Sequence, residues 1–326
     1  MMSVMKTGVL KETCKESSKN ATQPEQLEDA FLPGASDSGS KRLDPGADMV
    51  VLEDVSFTYD GHHADIRGIS LTIRQGEWVT LAGANGCGKT TLTRLLNGLL
   101  RASSGRIAIA GIDLERETLA EIRQKVGVVF QNPDNQFIGA TVEEDMAFGL
   151  EGQCLDPEEI QCRINHYASR LEISHLLRRH PHELSGGQKQ RAAIAAILAM
   201  EPELIILDEA SSMLDEKARC NWLSLLQEMH AEGRYTLLSI THDAEEVAAS
   251  QRVLVMQEGA LAADVTPTEL FRDEELLRLC RLLPPFRIQL AKELEKRGLI
   301  LEKRNLAGNG ETGLEVDQLW PLNYSK

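Results

Sequence analysis

Along this chain the apolar positions follow two different periods, and the change from one to the other organises the reading. Residues 50–52 (Val-Val-Leu) and 55–59 (Val-Ser-Phe-Thr-Tyr) are rich in β-branched and aromatic side chains, and Asp60-Gly61 follows as a turn signal. Ile69, Leu71 and Ile73 then alternate with polar residues, as on a half-buried strand. Further along, short apolar runs alternate with helical spacing. Trp78–Ala82 and residues 126–130, 204–207 and 236–241 read as strands, and two of these are nearly continuous apolar runs, as expected where helices cover both faces of a sheet. Leu92, Leu95, Leu96 and Leu99 recur at i, i+3, i+4 and i+7, and residues 192–200 form an apolar helix. The pattern predicts early antiparallel strands followed by an α/β core with a mainly parallel sheet. Residues 253–261 read as a hairpin turning at Glu258-Gly259. Leu276, Leu279 and Leu283 share a helical face that Pro284-Pro285 ends, and residues 286–297 resume as an amphipathic helix with Gly298 at C′.

Composition sets the limits of this picture. Residues 1–48 are Ser-, Lys-, Glu- and Gly-rich with Phe31 as their sole aromatic, too little apolar surface to offset the entropy of ordering. They read as a disordered tail, ahead of an α/β domain over 49–268 and a C-terminal helical module over 269–326. With 35 basic against 50 acidic residues among 326, the net charge is −15, which argues against a phosphate-neutralising footprint and hence against a nucleic-acid partner. No apolar run approaches the roughly 20 residues that span a bilayer, and the N-terminus has no secretory h-region. The expectation is a cytosolic chain that reaches a membrane only through a partner. Six scattered cysteines without a C-x-x-C pair read as reduced thiols. His180-Pro181-His182-Glu183 lacks a second ligand pair at zinc spacing and reads as a loop. Trp78, Trp222 and Trp320 read as packing residues, and His62-His63 as exposed.

Three segments carry chemistry. GANGCGKT, residues 83–90, fits G-x-x-x-x-G-K-[ST] and lies between a strand and an amphipathic helix. Gly83, Gly86 and Gly88 leave backbone N–H groups free to turn toward phosphates, Lys89 reaches the β/γ-phosphates, and the Thr90 hydroxyl suits Mg²⁺. Cys87, beside a helix N-terminus and two residues from Lys89, is expected to be the most alkylation-sensitive thiol. Asp208 and Glu209 end the apolar run at 204–207, where open α/β sheets bind their ligands. One of these carboxylates suits Mg²⁺ and the other an attacking water. LSGGQKQR, residues 184–191, opens the helix that continues through 192–200. Ser185 and Gln188 form a capping box, which leaves the two consecutive glycines unexplained, whereas close approach of an anion would account for them.

LSGGQKQR, in its position between the phosphate loop and the carboxylate strand, resembles the signature of the ATP-binding-cassette (ABC) ATPases. The resemblance covers about residues 49–265, with no expected element missing. It implies a P-loop NTPase core with an antiparallel β subdomain and a helical subdomain, binding ATP and Mg²⁺. Tyr59 resembles the aromatic that stacks on adenine, and Asn85 and Thr91 fall within the nucleotide-binding loop. Gln131 matches the glutamine that senses Mg²⁺ and the transporter, so the implied metal set is Thr90, Gln131 and Asp208. Glu209 resembles the general base, His242 the γ-phosphate histidine, and Asp215 the D-loop aspartate. Ser185 and Gly187 resemble the γ-phosphate contacts given to the opposite subunit, which implies a homodimer or a heterodimer with a second ABC ATPase.

A narrower likeness lies in FQNPDNQFIGATVEEDMAFGLE (130–151), SSMLD (211–215) and LPPFRIQLAKEL, which are similar to the ATPase subunits of energy-coupling factor (ECF) importers. That implies a peripheral protein at the cytoplasmic face of the cell membrane, attached to a transmembrane scaffold subunit. A separate substrate-binding membrane component would take up a vitamin or a transition-metal ion. The tail departs from the pattern, since such a chain is expected to begin near Met49. The rival readings are an ATPase of another ABC importer and a soluble ABC clamp on ribosomes or DNA. A clamp is expected to carry two cassettes, a long coiled coil or zinc modules, none of which is seen in this sequence.

Overall fold

The protein is represented by a computed structural model that describes Asp44 and residues 46–61 and 64–296. The expectations for most of the 1–48 tail, His62-His63, Gly298 and Trp320 lie outside these residues. Strands β1 (Asp48–Phe57) and β2 (Ile66–Arg74) come first, then β3 (Trp78–Ala82), α1 (Lys89–Leu96), β4 (Ser104–Ile109), β5 (Ile112–Asp113), α2 (Leu119–Lys125) and β6 (Val126–Val129). Three helices follow, α3 (Val142–Glu151), α4 (Pro157–Arg170) and α5 (Gly186–Ala199), before β7 (Leu204–Asp208) and α6 (Glu216–Ala231). The described chain closes with β8 (Thr236–Ile240), α7 (Ala244–Ala249), β9 (Arg252–Gln257), β10 (Ala260–Val265), α8 (Pro267–Arg272), α9 (Glu274–Cys280) and α10 (Phe286–Lys296).

The early strands pair antiparallel in the order β2-β1-β4-β5, and the second sheet runs β10-β9-β3-β8-β7-β6. Within the latter, β3, β6, β7, β8 and β9 are parallel and only β10 turns back, as the Glu258-Gly259 hairpin requires. The register aligns Leu81 with Ile240, Ile240 with Asp208 and Leu207 with Val129. The segments after Ala82, Val129, Asp208 and Ile240 therefore leave one edge of the sheet together. That edge is the carboxyl side, where α/β proteins bind ligands.

Apolar faces account for the layers. Val50, Ile69, Ile107 and Leu92 pack between the antiparallel sheet and α1, while Met146, Ile164, Ala195 and Leu226 bury the faces of α3 to α6. Phe271, Leu277, Cys280 and Ile288 close over Val253, Val255 and Ala82. The 268 boundary falls inside α8, which Thr266 caps through a capping box with Glu269. Trp78 and Trp222 are buried, as their reading as packing residues expects.

Three local details differ from the periodicity. Residues 50–52 and 55–57 belong to one strand, β1, which continues through a bulge at Asp54 (φ 49°) instead of breaking. Helix α1 stops at Leu96 because Gly98 turns left-handed (φ 66°), leaving Leu99 exposed instead of on the buried stripe. Arg281 (φ 55°) likewise ends α9, so Leu277 and Cys280 form its buried face and Leu283 is exposed.

The thiols also sort differently from the sequence expectation. Cys87 is only 6% exposed, with its Sγ 3.9 Å from the Lys89 Nζ, so the loop turns the thiol inward. Cys280 is buried too, and burial pushes its thiol up to about 11. Cys154, Cys162 and Cys220 are exposed. Brief iodoacetamide treatment of the folded protein, followed by peptide mapping, is expected to label those three before Cys87 and Cys280.

One acid lies in the core. Glu246 on α7 is 4% exposed, and burial pushes its carboxyl from 4.5 up to about 7. The native state thus holds this proton more tightly than the unfolded chain does. The group's contribution to stability is full below pH 4.5 and is lost as pH rises through about 7. Glu246→Gln removes the ionisation. Relative to the parent, the variant is expected to gain up to about 3 kcal/mol in urea unfolding between mildly acidic pH and pH 8, with no further gain above.

Candidate active site

Residues 83–88 join β3 to α1 and fold into an anion cradle. Gly83 sits at φ 151°, and a Cβ there would stand 2.5 Å from the Met256 carbonyl oxygen, so no larger residue fits. Gly88 (φ 108°) caps α1 without a side-chain hydrogen bond, which leaves the first N–H groups of the helix open to an anion. The buried Lys89 ammonium donates to the carbonyls of Gly83 (2.7 Å) and Ala84 (3.1 Å), inside the loop it is meant to serve. Asn85, Gly86, Gly88, Lys89, Thr90 and Thr91 line a cleft of about 620 Å³, together with Gln131 and Glu209 from neighbouring strand ends.

The two carboxylates diverge as their adjacency on a strand requires. Asp208 ends β7 half-buried; burial and the neighbouring Glu209 charge push its carboxyl above the ordinary range, against the pull of Lys89 and Arg94. Glu209 takes a left-handed backbone (φ 50°), fixed by its N–H donating to the Ile240 carbonyl at 2.8 Å. This turn points its side chain at two partners. Gln131 Nε2 donates to Glu209 Oε2 at 2.7 Å, and His242 Nε2 stands 3.4 Å from Oε1. Burial and the nearby Lys89 charge lower the His242 pKa, with Glu209 partly offsetting them, so the imidazole is neutral at pH 7.

The described residues contain no group of three or more His, Cys, Asp or Glu able to hold a metal by themselves. Thr90, Asp208 and Gln131 offer hard oxygen donors but too few for a protein cage. A cation there must complete its shell with phosphate oxygens and water, which is the habit of Mg²⁺.

Tyr59 lies at the rim of this arrangement. Its N–H donates to Asp65 Oδ2 (2.9 Å), its ring meets Phe57 edge-on, and Arg94 Nη1 donates to its hydroxyl at 3.4 Å. Asp65, Arg67 and Glu258 also line the cleft, and Arg94 steadies Tyr59. The sequence reading missed all four. Asp65 and Arg67 have no motif, and Glu258-Gly259 reads only as a hairpin turn. The turn reaches the cleft because the Gly259 N–H donates to the Cys87 carbonyl and its own carbonyl accepts from Arg67 N–H, at 2.9 and 2.8 Å.

Ser185, Gly187 and Asp215 do not line the cleft of their own chain. Ser185 caps α5 in a reciprocal box with Gln188, and Asp215 caps α6 by accepting from the Ala218 N–H at 2.8 Å. A Cβ at Gly186 or Gly187 would meet nothing closer than 3.7 Å, so packing within this chain does not demand either glycine.

Comparison with known proteins agrees with this geometry. Residues 66–212 match the ABC transporter family. The energy-coupling factor transporter ATP-binding protein EcfA1 of Bacillus subtilis is 43% identical over 277 residues, 84% of this chain and 97% of the relative. Its counterpart in Geobacillus kaustophilus is 44% identical over 280 residues, covering 85% and 98%. Among solved structures, cbiO1 from Clostridium perfringens, part of the ABC transporter complex cbiONQ, has a TM-score of 0.66 at 34% identity, covering 77% of this chain and 98% of that one. The dimeric ABC transporter cassette MJ0796 has a TM-score of 0.62 at 28% identity, covering 67% and 99%. A likeness that runs through nearly the full length of such relatives extends well past the motifs: the chain belongs to the ABC transporter family, among the energy-coupling factor transporter ATP-binding proteins.

Proposed function

We propose that this chain is the ATP-hydrolysing subunit of an ECF-type importer, working as a dimer at the cytoplasmic face of the membrane. The observation that carries the hydrolytic part is the Glu209 carboxylate held between Gln131 and His242 at the mouth of the phosphate cleft. Lys89 exchanges two loop carbonyls for β- and γ-phosphate oxygens, which offer the same acceptor chemistry with more negative charge. Glu209 takes the proton of the attacking water, and neutral His242 orients it and the γ-phosphate. Thr90, Asp208 and Gln131 would hold Mg²⁺, which supplies charge neutralisation across the phosphates when bound. Tyr59, steadied by Arg94, offers its ring to the adenine.

Dimerisation follows from what the cleft lacks. Its own Ser185, Gly187 and Asp215 lie elsewhere, and the pair of exposed Gly186 and half-buried Gly187 has no packing reason within the described residues. A second copy or a related ATPase, presenting its signature across the cleft, accounts for both. ATP then closes the pair and hydrolysis reopens it.

Transport requires membrane partners, since no helix among the described residues is long and apolar enough to cross a bilayer. We assign docking on the scaffold subunit to the surface from Gln131 to Phe148, where Ile138 is 73% exposed and Phe148 58%. Phe137, in the same stretch, packs against the core and is a poorer probe. The cargo, a vitamin or a transition-metal ion, is carried by the separate membrane component.

Capture of the full-length chain from detergent-solubilised membranes is expected to bring down integral membrane proteins; recovery with ribosomes or DNA instead would favour the soluble-clamp reading. Glu209→Gln is expected to keep ATP binding while slowing steady-state hydrolysis about 10²–10⁴-fold. A near-normal rate would remove Glu209 as the base. Lys89→Ala is expected to lose nucleotide affinity instead. Ile138→Asp and Phe148→Asp are expected to abolish uptake while basal hydrolysis stays within about twofold; equal loss of both activities would count against docking there.

A further inference from the structure

Behind the cleft, Glu246 lies outside every assignment made so far. Its carboxyl accepts from Ser211 Oγ, which donates to Oε2 at 3.1 Å, and the Ser239 and Thr241 hydroxyls also face it. These hydroxyls come from two separate segments. Ser211 stands two residues beyond Glu209 on the loop that leaves β7, whereas Ser239 lies on β8 and Thr241 immediately precedes His242.

The direction of the bonds is set by the surroundings. Ser239 Oγ accepts from the Trp78 indole N–H at 3.0 Å, and Thr241 Oγ1 accepts from the Asp243 N–H at 3.0 Å. Each of these two hydroxyls thus keeps its single proton free to turn toward Glu246, whose two oxygens carry the acceptor lone pairs. Helix capping does not explain the residue, because Asp243 Oδ1 already accepts from the Glu245 and Glu246 N–H groups at 2.8 and 3.2 Å. Burying an acid is costly, and an apolar side chain would fill this place at less expense unless the Ser211 hydroxyl needs an acceptor here.

We propose that Glu246 is a positioning residue for hydrolysis, fastening the loop beyond Glu209 to the strand end that carries His242. It acts through its hydrogen bond from Ser211 on one side and, on the other, through its place on α7, the helix that follows His242 directly, and so maintains the 3.4 Å approach of His242 Nε2 to Glu209 Oε1. The inference rests on the reading of Glu209 as base and His242 as its neighbour. Nucleotide affinity, which rests on the phosphate loop, is carried by other residues.

The test uses the full-length protein purified with its membrane partners, comparing Glu246→Ala, Glu246→Gln, Ser211→Ala and the Ser211→Ala/Glu246→Ala double variant. Steady-state kcat, KM for ATP and the melting temperature are measured for each. Glu246→Ala is expected to lower kcat about 10- to 100-fold, the scale on which small misplacements of reacting groups act, with KM within about twofold. Ser211→Ala is expected to lower kcat less and leave the melting temperature unchanged. The double variant should be no slower than Glu246→Ala alone, since both remove the same tie. Glu246→Gln, which keeps the shape and one acceptor oxygen, is expected to recover most of the rate. The proposal is overturned by an unchanged kcat in Glu246→Ala, by additive losses in the double variant, or by a fall in kcat matched by an equal rise in KM. If Glu246→Ala does not fold, Ser211→Ala decides, and an unchanged kcat there overturns it. Glu209→Gln measured alongside separates the two ideas. Fast turnover in that variant removes the base assignment, whereas slow turnover with a normal Glu246→Ala removes only the positioning role.

Discussion

The parallel ladder of β3, β8, β7 and β6 is the constraint on which the rest of this protein depends. Backbone hydrogen bonds hold Leu81 beside Ile240, Ile240 beside Asp208 and Leu207 beside Val129. A slip of one residue in any of these pairs would flip every side chain to the opposite face of the sheet. With the register held, four loops leave one edge together and deliver Lys89, Gln131, Glu209 and His242 to one place, although 153 positions separate the first of these from the last (242 − 89). The Glu209 N–H, donating to the Ile240 carbonyl, continues the ladder one step past the sheet and turns a strand residue into a cleft residue.

Electrostatics at that edge follow from crowding charges at a half-buried surface. Asp208 is raised by burial and by Glu209; His242 is lowered by burial and by Lys89. Each shift favours the neutral form of its group, in a cleft whose ammonium donates to two neutral carbonyls and a thiol and to no carboxylate. Such a site is poised for a ligand that brings its own negative charge. The phosphate loop answers in the same sense, with glycines where side chains would block backbone N–H groups and no side chain capping α1.

The structure also separates two kinds of glycine that look alike in a motif. Gly83 is demanded from within, because the Met256 carbonyl occupies the space of a Cβ. Gly186 and Gly187 are not demanded by anything in their own chain. Internal packing explains the first, and the approach of a second molecule is the natural explanation for the others. The exposed Ile138 and Phe148 likewise have no packing reason within the described residues, which is why the docking proposal rests on them.

By itself the sequence determined the class of the fold, the phosphate loop, the carboxylate strand end and the signature helix, because each is written in consecutive residues with a local physical cause. Apolar runs mark buried strands, glycines mark close backbone approach, and the Ser185 and Gln188 pair marks a helix start. It could not show that Leu99 leaves its helix, that β1 passes through a bulge, or that the Cys87 thiol turns inward, since those outcomes depend on left-handed residues and neighbours from other elements. Asp65, Arg67 and Glu258 had no local signal at all; they reach the cleft only because the β9–β10 turn hydrogen-bonds to the phosphate loop and to β2. The contact of Glu246 with Ser211 joins residues far apart in sequence and was decided by the packing of α7 against the sheet, whereas that of Gln131 with Glu209 was decided by the pairing of β6 with β7.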